Sequence, residues 1–326
     1  MAALREQDRA AAVKSLMCPE MTSTPQPVPR NPRAFLARLD PRLIQIALML
    51  GLLSIGVFTR DISLLGEQVA AAYLSGLATQ LMFVRWLGLE SKNLLSAGIT
   101  CTGVALLLRS SLPWTHAAAA SLAIASKFLV RVRGKHLFNP ANFGVLAGHT
   151  LLPGTWISPG QWGNDLAIVL WIAGFGCYGV RRTATARLTW GFLGSYLGLW
   201  LLHRVCWLGY EWGVWLHQLE NGTLLVFAFF MISDPKTAPN HPLAKTIHAS
   251  ALGCAAYIMQ FGFYQYNAIL WALFVGAAFV PIWDRILPAP RFGWQSSVEN
   301  TRYDHSLSSS ATVEPGVTSF PASAAS

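Results

Sequence analysis

Long apolar stretches alternate with short polar segments between residues 40 and 288. A helix that crosses the ~30 Å hydrocarbon core of a bilayer needs about 20 mainly apolar residues, and a few fewer are tolerated. The segments that approach this length are Leu43–Phe58, Val69–Val84, Asn93–Leu108, Trp114–Val130, Asn142–Leu152, Asp165–Val180, Leu188–Leu208, Gly222–Ser233, Leu243–Phe261 and Tyr266–Trp283. The pattern predicts an all-α, polytopic membrane protein with about ten transmembrane segments.

Two of these segments are too short for a comfortable crossing. Asn142–Leu152 and Gly222–Ser233 each fall well below the length that a full span requires. We expect both to form broken or half helices.

The positions of Lys and Arg orient the segments. With a cytoplasmic N-terminus, the inner side holds Arg30, Arg33, Arg38, Arg42, Arg85, Lys92, Lys127, Arg131, Arg133, Lys135, Arg181, Arg182, Arg187, Lys236, Lys245, Arg285 and Arg291. The outer loops hold only Arg60, Arg109 and Arg204. Because positive residues concentrate on the cytoplasmic side, the sequence predicts a multi-pass membrane protein with both termini in the cytoplasm.

The loop Pro153–Gly163 divides the segments into five and five. An odd number in each half means that the second half enters the membrane from the opposite face, which permits an inverted repeat. We therefore expect a transmembrane domain at 40–288, with a first repeat at 40–153 and a second at 164–288. The polar ends, 1–39 and 289–326, have no apolar period and predict a disordered cytoplasmic arm and tail.

Composition agrees with a membrane protein. Hydrophobic residues make up 53% of the chain and charged residues 12%, about half the ~25% typical of soluble domains. This argues against a soluble enzyme of one or two domains. The net charge of +9 follows from the one-sided loops, so we expect the lipid bilayer as a partner and no nucleic acid.

The first motif lies before the short fifth segment, in the stretch 134–144. Asn139-Pro140 can end one segment and start the next, because proline lacks an N–H and restricts the residue before it. Asn142 would then lie near a helix N-terminus, where free N–H groups favour anions. Gly144 would allow the close approach of a neighbour or a planar ligand.

The second motif follows the short eighth segment, in the stretch 222–239. There Asp234-Pro235 ends an apolar run, again on the predicted inner side. A carboxylate at the end of a membrane segment is costly unless it is paired or hydrated, so Asp234 is a candidate functional residue. Alternatively, Asp234 caps the following turn and Pro235 only ends a helix.

Together, the two motifs resemble those of a known family. Phe138–Gly144 and Phe230–Thr237 are similar to the paired Asn-Pro-Ala and Thr-Asp-Pro signatures of the D subunit of the Rnf electron-transport complex and the B subunit of the sodium-pumping NADH:quinone oxidoreductase (Nqr). The resemblance covers roughly Asp40 to Pro288. It implies two inverted five-helix repeats, bound flavin, and electron transfer in a sodium- or proton-linked complex with other membrane subunits. It also implies a bacterial plasma (inner) membrane as the location.

The resemblance also implies a cofactor site between the motifs. One wall would be formed by Asn139, Pro140, Asn142 and Gly144, and the opposite wall by Asp234, Pro235 and Thr237. Lys127 and Arg131, one helical turn apart, could hold a flavin phosphate or ribityl chain. Alternatively, they anchor the helix at the membrane surface.

One departure from the family concerns covalent flavin. The family attaches FMN through the threonine of a Ser-Gly-Ala-Thr sequence, which this chain lacks. We therefore expect no covalent FMN. A redox role would rest on a non-covalent flavin, either FMN or riboflavin, or on haem or another cofactor from a partner subunit.

The sequence thus favours an electron-transfer subunit of the Rnf and Nqr type, a component of an ion-translocating oxidoreductase. Two alternatives remain: an inverted-repeat transporter or channel without redox activity, and an accessory membrane protein of a biosynthetic pathway. The chain contains no HExxH, P-loop or Gly-x-Ser-x-Gly motif, so no catalytic residue and no metal ligand is assigned.

Overall fold

The structure is a computed structural model that describes residues 41–59, 66–89, 94–158 and 166–293. The predicted N-terminal arm and the predicted tail beyond residue 293 lie outside these ranges. The first half of the described chain contains α1 (Pro41–Thr59), α2 (Gly66–Trp86), α3 (Leu94–Leu107), β1 (Leu108–Ser110), α4 (Pro113–Leu129), β2 (Arg131–Val132), β3 (Lys135–His136), α5 (Pro140–Leu151) and β4 (Thr155–Ile157).

The second half contains helices and no strand over its described range. It contains α6 (Leu166–Arg182), α7 (Ala186–Trp200) with a π-helical continuation (Leu201–Trp207), α8 (Trp212–Leu219), α9 (Gly222–Val226) with a π-helical turn (Phe227–Met231), α10 (Pro242–Phe261), α11 (Ala268–Ala277) and α12 (Val280–Ile286). The prediction of an all-α protein is confirmed, since the strands form only short two-stranded pairs.

Each predicted apolar segment corresponds to a helix. Proline occupies the first turn of α4, α5 and α10, where its missing N–H costs no intrahelical bond. Two features differ from the prediction. The short α8 lies in the stretch expected to be an outer loop, and the last segment is divided into α11 and α12 with a bend of 46°.

Length and hydropathy were tested for membrane crossing over the described residues. There, no single helix is both long enough and apolar enough to span a bilayer. The bent pair α11 and α12 passes the same test jointly. α2 has 21 residues but includes the polar residues Glu67, Gln68, Gln80 and Arg85. The ten crossings therefore stay a prediction.

The order of helix packing repeats along the chain. In the first half, α2 packs most extensively on α4, α4 packs on α5, and α1 packs on α3. In the second half, α7 packs on α10, α10 packs on α11, and α6 packs on α9. Contacts between the halves join α1 with α6 and α5 with α11. Helices in equivalent positions of the repeated order thus meet each other.

Small residues allow the helices to approach closely at these contacts. A methyl group on Gly144 of α5 would lie 2.5 Å from the Cβ of Ala123 and 2.7 Å from the carbonyl oxygen of Ala119, both on α4. A methyl group on Gly253 of α10 would lie 2.7 Å from the carbonyl oxygen of Phe192 on α7. Small residues at helix contacts are typical of membrane helix bundles.

Candidate functional site

Asn139 joins the two sequence motifs directly. It caps α5, since its Oδ1 accepts a hydrogen bond of 3.1 Å from the backbone N–H of Asn142. Its Nδ2 donates a 3.0 Å hydrogen bond to the carbonyl oxygen of Met231, at the end of the second motif's helix. One buried amide therefore holds the break in the first half against the break in the second.

A π-helical turn, Phe227–Met231, lies inside the second motif. In it, the backbone N–H of Ile232 bonds to the carbonyl oxygen of Phe227 at 3.0 Å, five residues back. Such turns leave carbonyl groups without their usual partners and are frequent at functional sites. Here Thr189 donates to the carbonyl oxygen of Ala228 at 2.8 Å, and the Ser233 hydroxyl donates to that of Phe229. These two hydroxyl groups therefore supply partners to carbonyl oxygens of the π-helical turn just before Asp234.

Asp234 combines the two roles that its sequence position allowed. Its carboxylate accepts hydrogen bonds from the backbone N–H of Lys236 at 3.0 Å and from the hydroxyl of Thr237 at 3.2 Å. It therefore caps the turn, as the alternative interpretation stated. The same residue also faces the cavity described below. Within the described ranges, no Lys or Arg lies within ion-pair distance of it.

A tight hairpin carries the residues before Asn139. Strands β2 and β3 pair Arg131 with His136 and Val132 with Lys135. The two-residue turn has positive φ at both positions, 51° at Arg133 and 78° at Gly134, which matches the twist of a short hairpin. Arg131 therefore lies beyond the end of α4, not on the same helical face as Lys127.

Lys135 ties this hairpin to the second half. Its ammonium lies 3.1 Å from the carboxylate of Asp284 on α12 and also donates to the carbonyl oxygen of Ala238. Burial lowers the pKa of Lys135, while Asp284 opposes that shift. The backbone N–H of Asn240 donates to the same carboxylate at 2.8 Å. The hairpin and the loop after the second motif thus share one acidic partner.

His136 is a half-buried, neutral ring beside the motifs. Burial lowers its pKa to about 4, and the cations Lys127, Arg131 and Lys236 act in the same direction. Asp234 opposes this shift but does not cancel it. At neutral pH the ring can both donate and accept a hydrogen bond.

A cavity of about 320 Å³ lies between the two motifs. Its cationic lining consists of Arg42, Lys127, Arg131, Lys135, Arg182, Lys236 and Arg291, and its acidic lining of Asp234. Its aromatic lining consists of Phe128, His136, Phe175, Tyr178, Phe229, Phe230 and Phe292. Amide side chains are contributed by Gln45, Gln80, Asn139 and Asn240. The volume and the mixture of apolar walls with a few polar groups are typical of small-molecule sites.

Lys127 is the most deeply buried of these cations. It lies in the last turn of α4, and its side chain is 8% exposed. The ammonium donates to Oε1 of Gln80 at 3.2 Å and to the hydroxyl of Ser96 at 3.1 Å. Both partners are neutral, so the charge of Lys127 faces the cavity without a carboxylate bound to it.

The structure brings six of the predicted site residues to the cavity and leaves three outside its lining. Lining the cavity are Lys127, Arg131, Asn139, Pro140, Asp234 and Pro235. Outside the lining, Asn142 donates from Nδ2 to the carbonyl oxygen of Leu270 at 3.1 Å. Gly144 packs on α4, and Thr237 bonds to Asp234. The cofactor-binding roles of all nine residues stay predictions.

Sequence reasoning did not single out several other lining residues. Gln80 and Ser96 are polar positions inside apolar segments, a signal that was available in the pattern. Arg182 and Lys236 were counted only as topological charges. The place of His136 between the motifs depends on the hairpin, whose strands are too short for a periodic signal.

The lining suits a flavin. The isoalloxazine ring of a flavin is planar and aromatic, and its edge carries carbonyl oxygens and nitrogens that pair with amide and ammonium donors. Phe128, Phe229 and Phe230 offer apolar surface for such a ring. The cations of the lining would accommodate a phosphate. A group of this kind therefore fits the residues present.

The fold and site define a class: a helical protein with repeated helix packing, in which two chain breaks frame a cation-rich cavity. A family model described as the NQR2, RnfD, RnfE family matches residues 147–293, which include the second motif. The match covers 147 of the chain's 326 residues and supports membership in this family, whose members are membrane subunits of the Rnf and Nqr complexes. A search of curated proteins gave no significant match.

Proposed function

We propose that this protein is an electron-transfer subunit of the Rnf and Nqr type, with a non-covalent flavin, FMN or riboflavin, in the cavity between the two motifs. The observation that carries the proposal is the cavity itself, with aromatic walls, amide donors and, among the described lining residues, seven cations against one carboxylate. The family match supports the assignment to such a complex.

Each set of lining residues has a separate task in this proposal. The aromatic side chains hold the ring and exclude water. Asn139 and Gln80 orient it by hydrogen bonds, and Asp234 faces it as the cavity's acidic group. The flavin, when bound, accepts and passes on electrons; the protein supplies position and electrostatics.

The proposal places the helices in a bacterial inner membrane as two inverted repeats, with the cavity at the cytoplasmic side. The cavity's cations all belong to the set that the sequence assigns to the inner side. Arg109, assigned to the outer side, precedes the first residue of α4, while Lys127 lies in its last turn. A helix of this length separates them by about 25 Å. Sodium or proton translocation and partner subunits would follow from membership of such a complex.

Flavin extraction tests the proposal. We expect protein purified in detergent to release FMN or riboflavin on acid precipitation, identified by mass spectrometry of the supernatant. The acid pellet should carry no flavin, since the attachment sequence is missing. Protein without flavin absorbance that also binds neither FMN nor riboflavin on addition would contradict the proposal.

A pair of asparagine variants adds a matched control. Asn139 and Asn221 both cap helices through their side chains, but only Asn139 lines the cavity. We expect Asn139→Ala to lose bound flavin and Asn221→Ala to retain it. Equal retention in both would argue against this cavity as the site. Substrate uptake into liposomes that does not depend on flavin would favour the transporter alternative instead.

A further inference from the structure

We propose that Lys127 contacts the electron-accepting ring of the bound cofactor and raises its reduction potential. This inference rests on the proposed function and assigns one residue of that site. It concerns an ammonium that the fold buries beside the cavity with neutral partners.

Burying the ammonium charge of Lys127 costs free energy. An ammonium removed from water is unfavourable unless hydrogen bonds and an opposite charge compensate it. Lys127 is 8% exposed, and its two hydrogen bonds go to the neutral oxygens of Gln80 and Ser96. Within the described ranges it forms no ion pair. Asp234 of the same cavity attracts this charge from beyond ion-pair distance, so its compensation is only partial without a ligand.

The ammonium of Lys127 has more N–H donors than protein acceptors. An ammonium has three N–H groups, and the amide of Gln80 and the hydroxyl of Ser96 each accept one. Gln80 is itself 1% exposed, so α2 holds the amine in place through a buried amide. The third N–H remains available to an acceptor in the cavity, which Lys127 lines.

Lys127 differs in its partners and its burial from the other two lysines that line the cavity. Lys135 bonds to the carboxylate of Asp284, and Lys236 donates to the carbonyl oxygen of Phe292 at 3.3 Å. Lys127 differs from Lys135 because no carboxylate binds it, and it is buried where Lys236 is only partly so. This combination suits an acceptor that becomes more negative on reduction, such as the carbonyl-bearing edge of the ring.

The positive charge of Lys127 would raise the reduction potential of the bound flavin. Reduction adds electron density to the ring, and a fixed cation in a site of low dielectric stabilises the reduced form more than the oxidised form. Lys127 would therefore bind reduced flavin more tightly than oxidised flavin. A merely structural lysine would weaken both forms equally.

Potentiometric titration of the bound flavin distinguishes these cases. In Lys127→Met, we expect the ratio of reduced to oxidised affinity to fall at least tenfold, which for a two-electron couple lowers the midpoint potential by about 30 mV. Lys127→Arg, which keeps the positive charge, should stay close to the wild type. The matched control is Lys245→Met, because Lys245 bonds to the carbonyl oxygen of Ala184 and lies outside the cavity.

Separate affinities of oxidised and reduced flavin give the same ratio for variants that purify without flavin. An unchanged ratio in Lys127→Met, with wild-type protein holding flavin, would overturn the assignment of Lys127 and leave the proposed function intact. A shift of the same size in Lys245→Met would also overturn it. Wild-type protein that binds no flavin would overturn both.

Discussion

His136 shows how strongly the environment of one side chain can set its charge. Its pKa of about 4 lies well below the ordinary value of 6.5, chiefly because the ring is buried. The unfolded chain takes up a proton near pH 6.5, whereas the folded protein resists protonation until about pH 4. Stability should therefore fall as the pH drops through this window, because protons favour the unfolded chain.

Thermal unfolding in detergent at several pH values measures this effect. Between pH 6.5 and 4 we expect the melting temperature of wild-type protein to drop more steeply than that of His136→Gln, which has no ring to protonate. His217→Gln is the control, since that histidine is exposed on α8. Parallel curves for wild type and His136→Gln would contradict the role of burial.

The sequence predicted some site residues better than others for a physical reason. Asn139 and Asp234 are adjacent to prolines, so their positions at chain breaks follow from local backbone rules. The direction of Asn142 does not, because its amide bonds to Leu270, far away in sequence. Lys127 was identified by its charge, but its neutral partners come from α2 and α3.

Among the helices, contact distance is set by single glycines. Gly144 lies where α5 meets α4, and an added methyl group would come within 2.7 Å of a backbone oxygen. Gly194 on α7 has the same helical backbone, but nothing lies within 4 Å of an added methyl group. A comparison of the two positions therefore separates the effect of helix propensity on stability from the effect of packing.

We expect alanine substitutions at these glycines to have opposite signs. Gly194→Ala should stabilise the protein by about 0.5–1 kcal/mol, because alanine loses less backbone entropy in a helix. Gly144→Ala should destabilise it by about 1–3 kcal/mol through overpacking. Unfolding of both variants in the same detergent is the measurement. A gain in stability for Gly144→Ala would show that α4 and α5 can separate without cost.

The elements themselves were largely predictable, and the exceptions are features that the apolar pattern does not show. Apolar segments predicted the position of the main helices because a helix needs a continuous run of such residues. The π-helical turn at Phe227–Met231 was not predicted, because it depends on partners such as Thr189 from α7. The bend between α11 and α12 was also missed, since the apolar run continues across it.

For the whole molecule, the central prediction is that the cavity and the connection between α10 and α11 lie on opposite sides of the membrane. Arg133 is exposed in the hairpin beside the cavity, and Tyr266 is 86% exposed in the connection between α10 and α11. The sequence places the first position on the cytoplasmic side and the second outside. These two positions therefore report on opposite faces of the membrane.

Cysteine labelling tests this arrangement in a variant without its native cysteines. A membrane-impermeant maleimide should label Arg133→Cys in inverted vesicles but not in intact cells. Tyr266→Cys should show the reverse, and detergent should expose both. Labelling of both positions from one side would contradict the inverted repeat.

The two asparagine amides of the first motif have a consequence for how the protein can work. Asn139 and Asn142 donate to the carbonyl oxygens of Met231 and Leu270, so both side chains fasten the first half of the chain to the second. A carrier that alternates its access would have to break such bonds in each cycle. A relay would keep them, and dipoles that are already fixed need not reorient when charge arrives. The same clasp that resists rocking motions would thus keep the reorganisation energy of electron transfer low.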